Sequence, residues 1–291
     1  MPQNNTPQPP INKHVGWIRV LAIILPYLFI VAIFQLIGYY VIGIDYNELP
    51  TQKSPFQLFV GTIFSLLGTL TVIWIFIKFV DRKPFIELGF TLKDRKKDII
   101  AGLLIGAAIM ALGYLIMLSM GEIQFKGFHW DATQLLYAIL TFVNIAILEE
   151  ALLRGYVLRN LMSSFNKYIA LIVSALLFSL LHAGNPNVDM FALANLFLAG
   201  ILLGMSYVYT KNLWFSIALH LSWNLFQTLF GFNVSGIDSY HLIEISITEN
   251  NLLNGGLFGF EGSIFSIIFQ VFTIILIVWY YNKNKDSSTT A

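Results

Sequence analysis

An all-α polytopic membrane protein, eight transmembrane helices around a polar cavity in the helix bundle, is the expectation for this chain, and three features carry it. Its 291 residues are 57% hydrophobic and only 11% charged, with a mean hydropathy of +0.72; that is the profile of hydrocarbon-embedded helices, not of a soluble domain. Eight apolar stretches are long enough to cross about 30 Å of hydrocarbon. The Lys and Arg residues, finally, fall almost entirely on one side of those stretches.

Residues 1–16 are polar and proline-bearing and read as a disordered tail. The apolar run from Trp17 to Ile44 is too long for a signal-peptide core and no small-x-small cleavage site follows it, so it reads as a retained span. The eight spans fall at roughly 18–43, 56–80, 99–120, 134–157, 167–183, 190–209, 212–230 and 262–281. The fifth and seventh are short, and the fifth stops at Gly184-Asn185-Pro186. Segment 84–97 mixes apolar and basic residues, as expected of chain lying on the inner membrane surface.

With both termini cytoplasmic, the inside segments and the inner halves of the spans hold fifteen of the seventeen basic residues; Lys53 and Lys126 alone fall outside. Arg82, Lys83, Lys93, Arg95, Lys96 and Lys97 share one loop. The long loop Gly231 to Glu261 has no Lys or Arg but carries Asp238, Glu244 and Glu249, as an external loop should. A multi-pass protein of the cell membrane follows, divided into tail 1–16, spans one to three with their cytoplasmic loop at 17–133, a polar-motif core at 134–230, an external loop at 231–261, and the last span with its tail at 262–291.

Composition also excludes. There is no cysteine, hence no disulfide, thiol nucleophile or cysteine metal site. A net charge of +1 without a basic arm gives no sign of a nucleic-acid partner. Membrane lipid is the partner the composition demands.

Inside the apolar core stand three polar patterns: Glu149-Glu150-x-x-x-Arg154, Phe178-x-x-x-His182 and His220-x-x-x-Asn224. An ionisable group at the centre of a spanning helix costs about 2.5–3.5 kcal/mol on insertion scales, so such groups mark function. Residues four apart share a helix face, whereas neighbours are turned about 100° apart. Glu150 and Arg154 are therefore placed to pair, leaving Glu149 to face a cavity. Phe178 is placed to wall a pocket and restrict the His182 imidazole, with Ser179 near enough to bond that ring. His220 and Asn224 converge on one point.

This set supplies a base, two acid or electrophilic groups and a neutral donor, the parts needed to split an amide with water. By contrast His14, His129 and His241 read as structural or interfacial, and Asn144 and Asn195 as helix–helix hydrogen bonders. Gly102 with Gly106, and Gly200 with Gly204, fit close helix packing. No aspartate lies well inside a span, so a paired-aspartate mechanism lacks residues. Ser206 lacks a rhomboid-like glycine context, and H-E-x-x-H is absent.

The three motifs, in this order and on separate spans, resemble the CPBP family of intramembrane proteases. That family includes CAAX prenyl endopeptidases of the Ras-converting type and the bacterial Abi-type proteins linked to bacteriocin self-immunity. The resemblance covers about residues 134–230. It implies an intramembrane glutamic or metallo-endopeptidase acting on a peptide or a prenylated or otherwise hydrophobic protein. Glu149 would be the catalytic base, Glu150 and Arg154 its support, and His182, His220 and Asn224 the rest of the site.

Two routes stay open: Glu149 activates water unaided while His220 and Asn224 hold the oxyanion, which is favoured, or Glu149, His182 and His220 ligate one Zn²⁺ with an open fourth position. A peptide-binding immunity or regulatory protein that does not cut, and a proton-coupled transporter, are the rival classes. One geometric demand is explicit. With nominal span edges, Glu149 lies in the inner half of its helix and His182 near the outer end of its own. A shared site then requires a deep, wet cavity, expected to open to the cytoplasm.

Overall fold

A computed structural model describes residues 15–44 and 53–289. The expected N-terminal tail falls, up to residue 14, outside the described residues. Eight long helices make the bundle: α1 Gly16–Val41, α2 Pro55–Asp81, α3 Lys96–Met120, α4 Ala132–Ser164, α5 Lys167–Leu181, α6 Met190–Thr210, α7 Trp214–Leu229 and α8 Ile264–Thr289.

Helix starts are set by capping side chains that satisfy orphan backbone N–H groups. Ser54 and Gln57 form a capping box ahead of Pro55. Asp131 accepts from the Thr133 and Gln134 amides, Asn166 from those of Tyr168 and Ile169, and Asp189 from that of Ala192.

Among the described residues six helices are long and apolar enough to cross a membrane: α1, α2, α3, α4, α6 and α8. The other two of the eight expected spans, α5 and α7, are shorter. α5 has 15 residues and α7 has 16, about 22–24 Å at 1.5 Å per residue against about 30 Å of hydrocarbon. Large apolar side chains remain exposed along the outer helices, Leu25, Phe29, Leu104, Phe272 and Ile275 among them, on surfaces that only lipid would cover. The chain is a multi-pass membrane protein.

The all-α expectation needs one amendment. β1 (Gln124–Phe128) pairs antiparallel with β2 (Ile243–Ser246), with a bulge between Phe125 and Gly127. The strands tie the connection after α3 to the segment between α7 and α8.

Successive helices alternate direction, so the bundle has two unlike ends. One carries the α1 start, the α2 end and the α4 end: Gly16 abuts Asn160 and Ser163, and buried Asp81 takes both Arg19 and Arg159 at 3.3 Å. Arg159 also reaches Glu87 at 3.2 Å, which pairs with Lys83 at 2.9 Å. Lys83 draws the Glu87 carboxyl below its usual range, with help from Arg159. The other end holds the β-pair, the α2 and α4 starts, the end of α5 and residues 231–263.

Small residues set the helix spacings, as expected. A Cβ on Gly102 would lie 2.8 Å from the Leu219 amide and one on Gly106 2.7 Å from Ser222 Cβ, so α3 and α7 run in backbone contact. A Cβ on Gly200 would lie 2.7 Å from Ala175 Cα, which seats α6 on α5. Asn144 donates to Thr62 Oγ1 across α4 and α2. Asn195 of α6 donates to the Glu261 and Ser263 carbonyls and accepts from Gln270 of α8.

Candidate active site

Glu149 and His182 meet because of where one turn falls. Glu149 lies fifteen residues before Ser164, the last residue of α4, and His182 fifteen after Lys167, the first of α5. Both therefore stand roughly 20 Å from the Phe165–Asn166 turn. The depth mismatch implied by the nominal span edges disappears, since α4 runs on to Ser164 instead of ending near 157.

Directly after Glu150, α4 changes to π-helical winding over Ala151–Leu158. Such wide turns occur mostly as single bulges and often at functional positions. Gly155 lets this segment approach Leu88, whose Cβ and carbonyl oxygen would sit 3.3 Å from an added Cβ.

Glu150 and Arg154 pair at 2.8 Å with 0% and 1% of their side chains exposed. Arg154 Nη2 donates to the Gly200 carbonyl at 3.1 Å, and its guanidinium lies 4.7 Å from the Phe178 ring centroid. Glu150 Oε1 accepts a second bond from His220 Nδ1 at 2.9 Å. That carboxylate, expected only to support Glu149, thus spans α4 and α7.

Phe178 lies 4.8 Å from the His182 ring, centroid to centroid, at an interplanar angle of 41°. His182 Nδ1 donates to the Phe178 carbonyl at 2.8 Å. A carbonyl only accepts, so Nδ1 carries the proton and Nε2 faces away from α5. The expected Ser179 contact to this ring does not form: Ser179 Oγ donates to the Leu193 carbonyl at 2.7 Å, joining α5 to α6.

The two imidazoles aim at one atom. His182 Nε2 and His220 Nε2 each lie 3.9 Å from Glu149 Oε2, which has no hydrogen-bond partner among the described residues. Glu149, Phe178, His182, His220 and Asn224 line one cavity of about 320 Å³. Glu150 and Arg154 stand behind its wall. Among the described residues no group of three or more His, Cys, Asp or Glu is arranged to hold a metal ion, so the candidate set Glu149, His182 and His220 does not meet that arrangement.

His129 and His241 lie apart from this cavity. The His129 carbonyl accepts from Tyr240 Oη, and His241 pairs with Asp238 at 3.3 Å.

Residues that the spacing argument did not select complete the lining: Tyr27 from α1, Thr62 from α2, and Ser235, Ser239 and Glu261 from beyond residue 230. Glu261 is 7% exposed, and its Oε2 accepts from both the amide and the hydroxyl of Ser235 at 2.8 Å. Its position at the nominal edge of the last span made it look like loop, and no motif marks it.

The cavity lining draws on the middle of α1, α4 and α7, the α2 start, the end of α5 and residues 234–261, and so reaches from the middle of the bundle to the end remote from the basic segment 82–97. Residues of the segment expected to be external thus form part of its wall.

Residues 131–226, about a third of the chain, match the family described as Type II CAAX prenyl endopeptidase Rce1-like. All three polar motifs lie within the match, which agrees with the family that those motifs resemble. No curated protein and no solved structure matches the chain.

Proposed function

We propose that the Rce1-like segment, residues 131–226, works as an intramembrane endopeptidase that hydrolyses a peptide bond of a membrane-associated or hydrophobic peptide, prenylated proteins being the substrate class that the family's description brings. One observation carries this reading: the unpartnered Glu149 Oε2, with two imidazole nitrogens aimed at it from separate helices. That oxygen is buried and without a protein partner, on a side chain that lines the cavity; rotation of the carboxyl group brings it to cavity water as a proton acceptor.

A water 2.8 Å from two atoms that are 3.9 Å apart subtends about 90°, within the range of hydrogen-bonded geometry. Such a water can donate to Glu149 Oε2 while an imidazole Nε2 holds it in place. Glu149 then removes the proton as the oxygen attacks the peptide carbonyl.

Asn224, one turn beyond His220 on the same face of α7, offers a neutral N–H to the developing oxyanion. His220 has Nδ1 committed to Glu150. The proton that Glu149 took from the water then passes to the leaving amine as the C–N bond breaks, directly or by way of His220 Nε2, 3.9 Å from Glu149 Oε2, where the transient imidazolium charge is balanced by Glu150. Arg154 offsets the second buried charge and fixes the carboxylate's rotamer.

The test is Glu149→Gln in the full chain, purified in detergent and reconstituted, with a fluorogenic membrane-anchored peptide. Binding without a cut product is the expected result, with turnover lowered at least about 100-fold, the scale of a general base. Retained cleavage would remove Glu149 from the role, and loss of binding and cleavage together would point to a fold defect.

A further inference from the structure

We propose that the cavity opens at the extracytoplasmic face, and that the peptide it receives is presented from that side. The identity of the ligand as a peptide rests on the endopeptidase reading; the sidedness does not.

Two independent observations carry it. The first is charge. The bundle end formed by the α1 start, the α2 end and the α4 end gathers Arg19, Arg82, Lys83, Arg95, Arg159 and Lys167. Lys and Arg in short connections are retained on the cytoplasmic side. Residues 231–263 at the opposite end contain Asp238, Glu244, Glu249 and Glu261 and no Lys or Arg.

The second is the cavity wall. Val234, Ser235, Ile237, Ser239 and Glu261 all line it, and these residues belong to the acidic end. No lining residue comes from the basic segments: Lys53, at the acidic end, lies outside the lining, and Arg154 is sealed behind Phe178.

Packing fixes the direction independently of any membrane. α3 and α7 run parallel, Gly102 against Leu219 and Gly106 against Ser222. α5 and α6 run antiparallel, Gly200 against Ala175 and Gly204 against Leu171. Both pairings put His182 and Asn224 towards the same end as the β1–β2 pair. At the acidic end the lining reaches the surface at Ile237, 42% exposed, whereas the Glu150–Arg154 pair beyond Glu149 is buried.

The natural chain has no cysteine, so single-cysteine variants report accessibility without background. In intact cells producing the full chain, a membrane-impermeant maleimide is expected to label Ile237→Cys, and to label Lys93→Cys only after permeabilisation. The same pattern is expected on a Glu149→Gln background, which separates sidedness from catalysis.

In cleavage-competent protein, a bulky impermeant maleimide added from outside should lower turnover of an externally presented reporter peptide at least about tenfold in Ile237→Cys and leave Lys93→Cys unchanged. Labelling of Lys93→Cys in intact cells, labelling of Ile237→Cys only after permeabilisation, or cleavage unaffected by the adduct at 237, would each overturn the proposal.

Discussion

His220 Nδ1 donates to Glu150 Oε1 at 2.9 Å across a sequence separation of 70 residues, and the same oxygen accepts from Arg154 Nη1 at 2.8 Å. One carboxylate therefore orients the imidazole of α7 and balances the guanidinium of α4, in a site with no exposed surface on Glu150. Glu150→Ala is expected to leave Arg154 as an uncompensated buried charge, at about 3–5 kcal/mol, with His220 unmoored. Thermal unfolding in detergent should fall steeply, and cleavage with it. A Glu150→Leu, Arg154→Met double variant should recover folded yield, since apolar replacement of a buried pair is often neutral, but not activity. Full activity in the double variant would show that the pair serves stability alone.

Phe178 is held between a cation and an imidazole, with Arg154 at 4.7 Å and His182 at 4.8 Å from its centroid. Phe178→Leu removes a desolvated cation–π contact of about 1–2 kcal/mol and frees the His182 ring. We expect a modest loss of stability and a clear drop in kcat at nearly unchanged KM, read by steady-state kinetics on folded protein. A change confined to KM would make Phe178 a substrate wall only.

Gly106 offers a test of packing against chemistry. An added Cβ would meet Ser222 Cβ at 2.7 Å and the Trp223 amide at 2.8 Å, so Gly106→Ala forces α7 outward and carries His220 and Asn224 with it. Overpacking of this kind costs about 1–3 kcal/mol. Gly61 in α2 has nothing within 4 Å of its added Cβ. Gly61→Ala should be neutral or stabilising by about 0.5–1 kcal/mol. Activity and thermal stability measured side by side should fall in the first variant alone.

Chelation distinguishes the two routes open to Glu149. Since the described residues hold no three-ligand arrangement for a metal, extended treatment with a chelator is expected to leave turnover within about twofold, on the criterion that a removed catalytic metal costs far more. Stoichiometric zinc in the washed protein, with activity tracking it, would reverse the assignment and make His182 and His220 ligands.

Much of the site was legible because its parts are local. Glu150 and Arg154, Phe178 and His182, and His220 and Asn224 each sit one helical turn apart, and the period of the helix alone puts each pair on one face. The buried polarity of the set was visible against its apolar surroundings.

Glu261 and Ser235 were not legible. Their contact joins two positions 26 residues apart through non-helical chain, where no period applies. The β1–β2 pair is illegible for a similar reason: Gln124–Phe128 is a short, mostly exposed strand with a bulge, lacking the alternation that marks a half-buried strand.

By itself the sequence determined which residues are polar within hydrocarbon, which of them share a helix face, and which connections carry the positive charge. Hydropathy, helical period and charge are properties of neighbours along the chain. Only the tertiary structure decided the heights at which those faces meet. The Phe165–Asn166 turn sets Glu149 level with His182, backbone contact at Gly102 and Gly106 brings α7 against α3, and residues beyond 230 fold back to line the cavity. A helical repeat fixes the direction of a side chain around its axis; its level along that axis depends on helix length and on what the helix packs against.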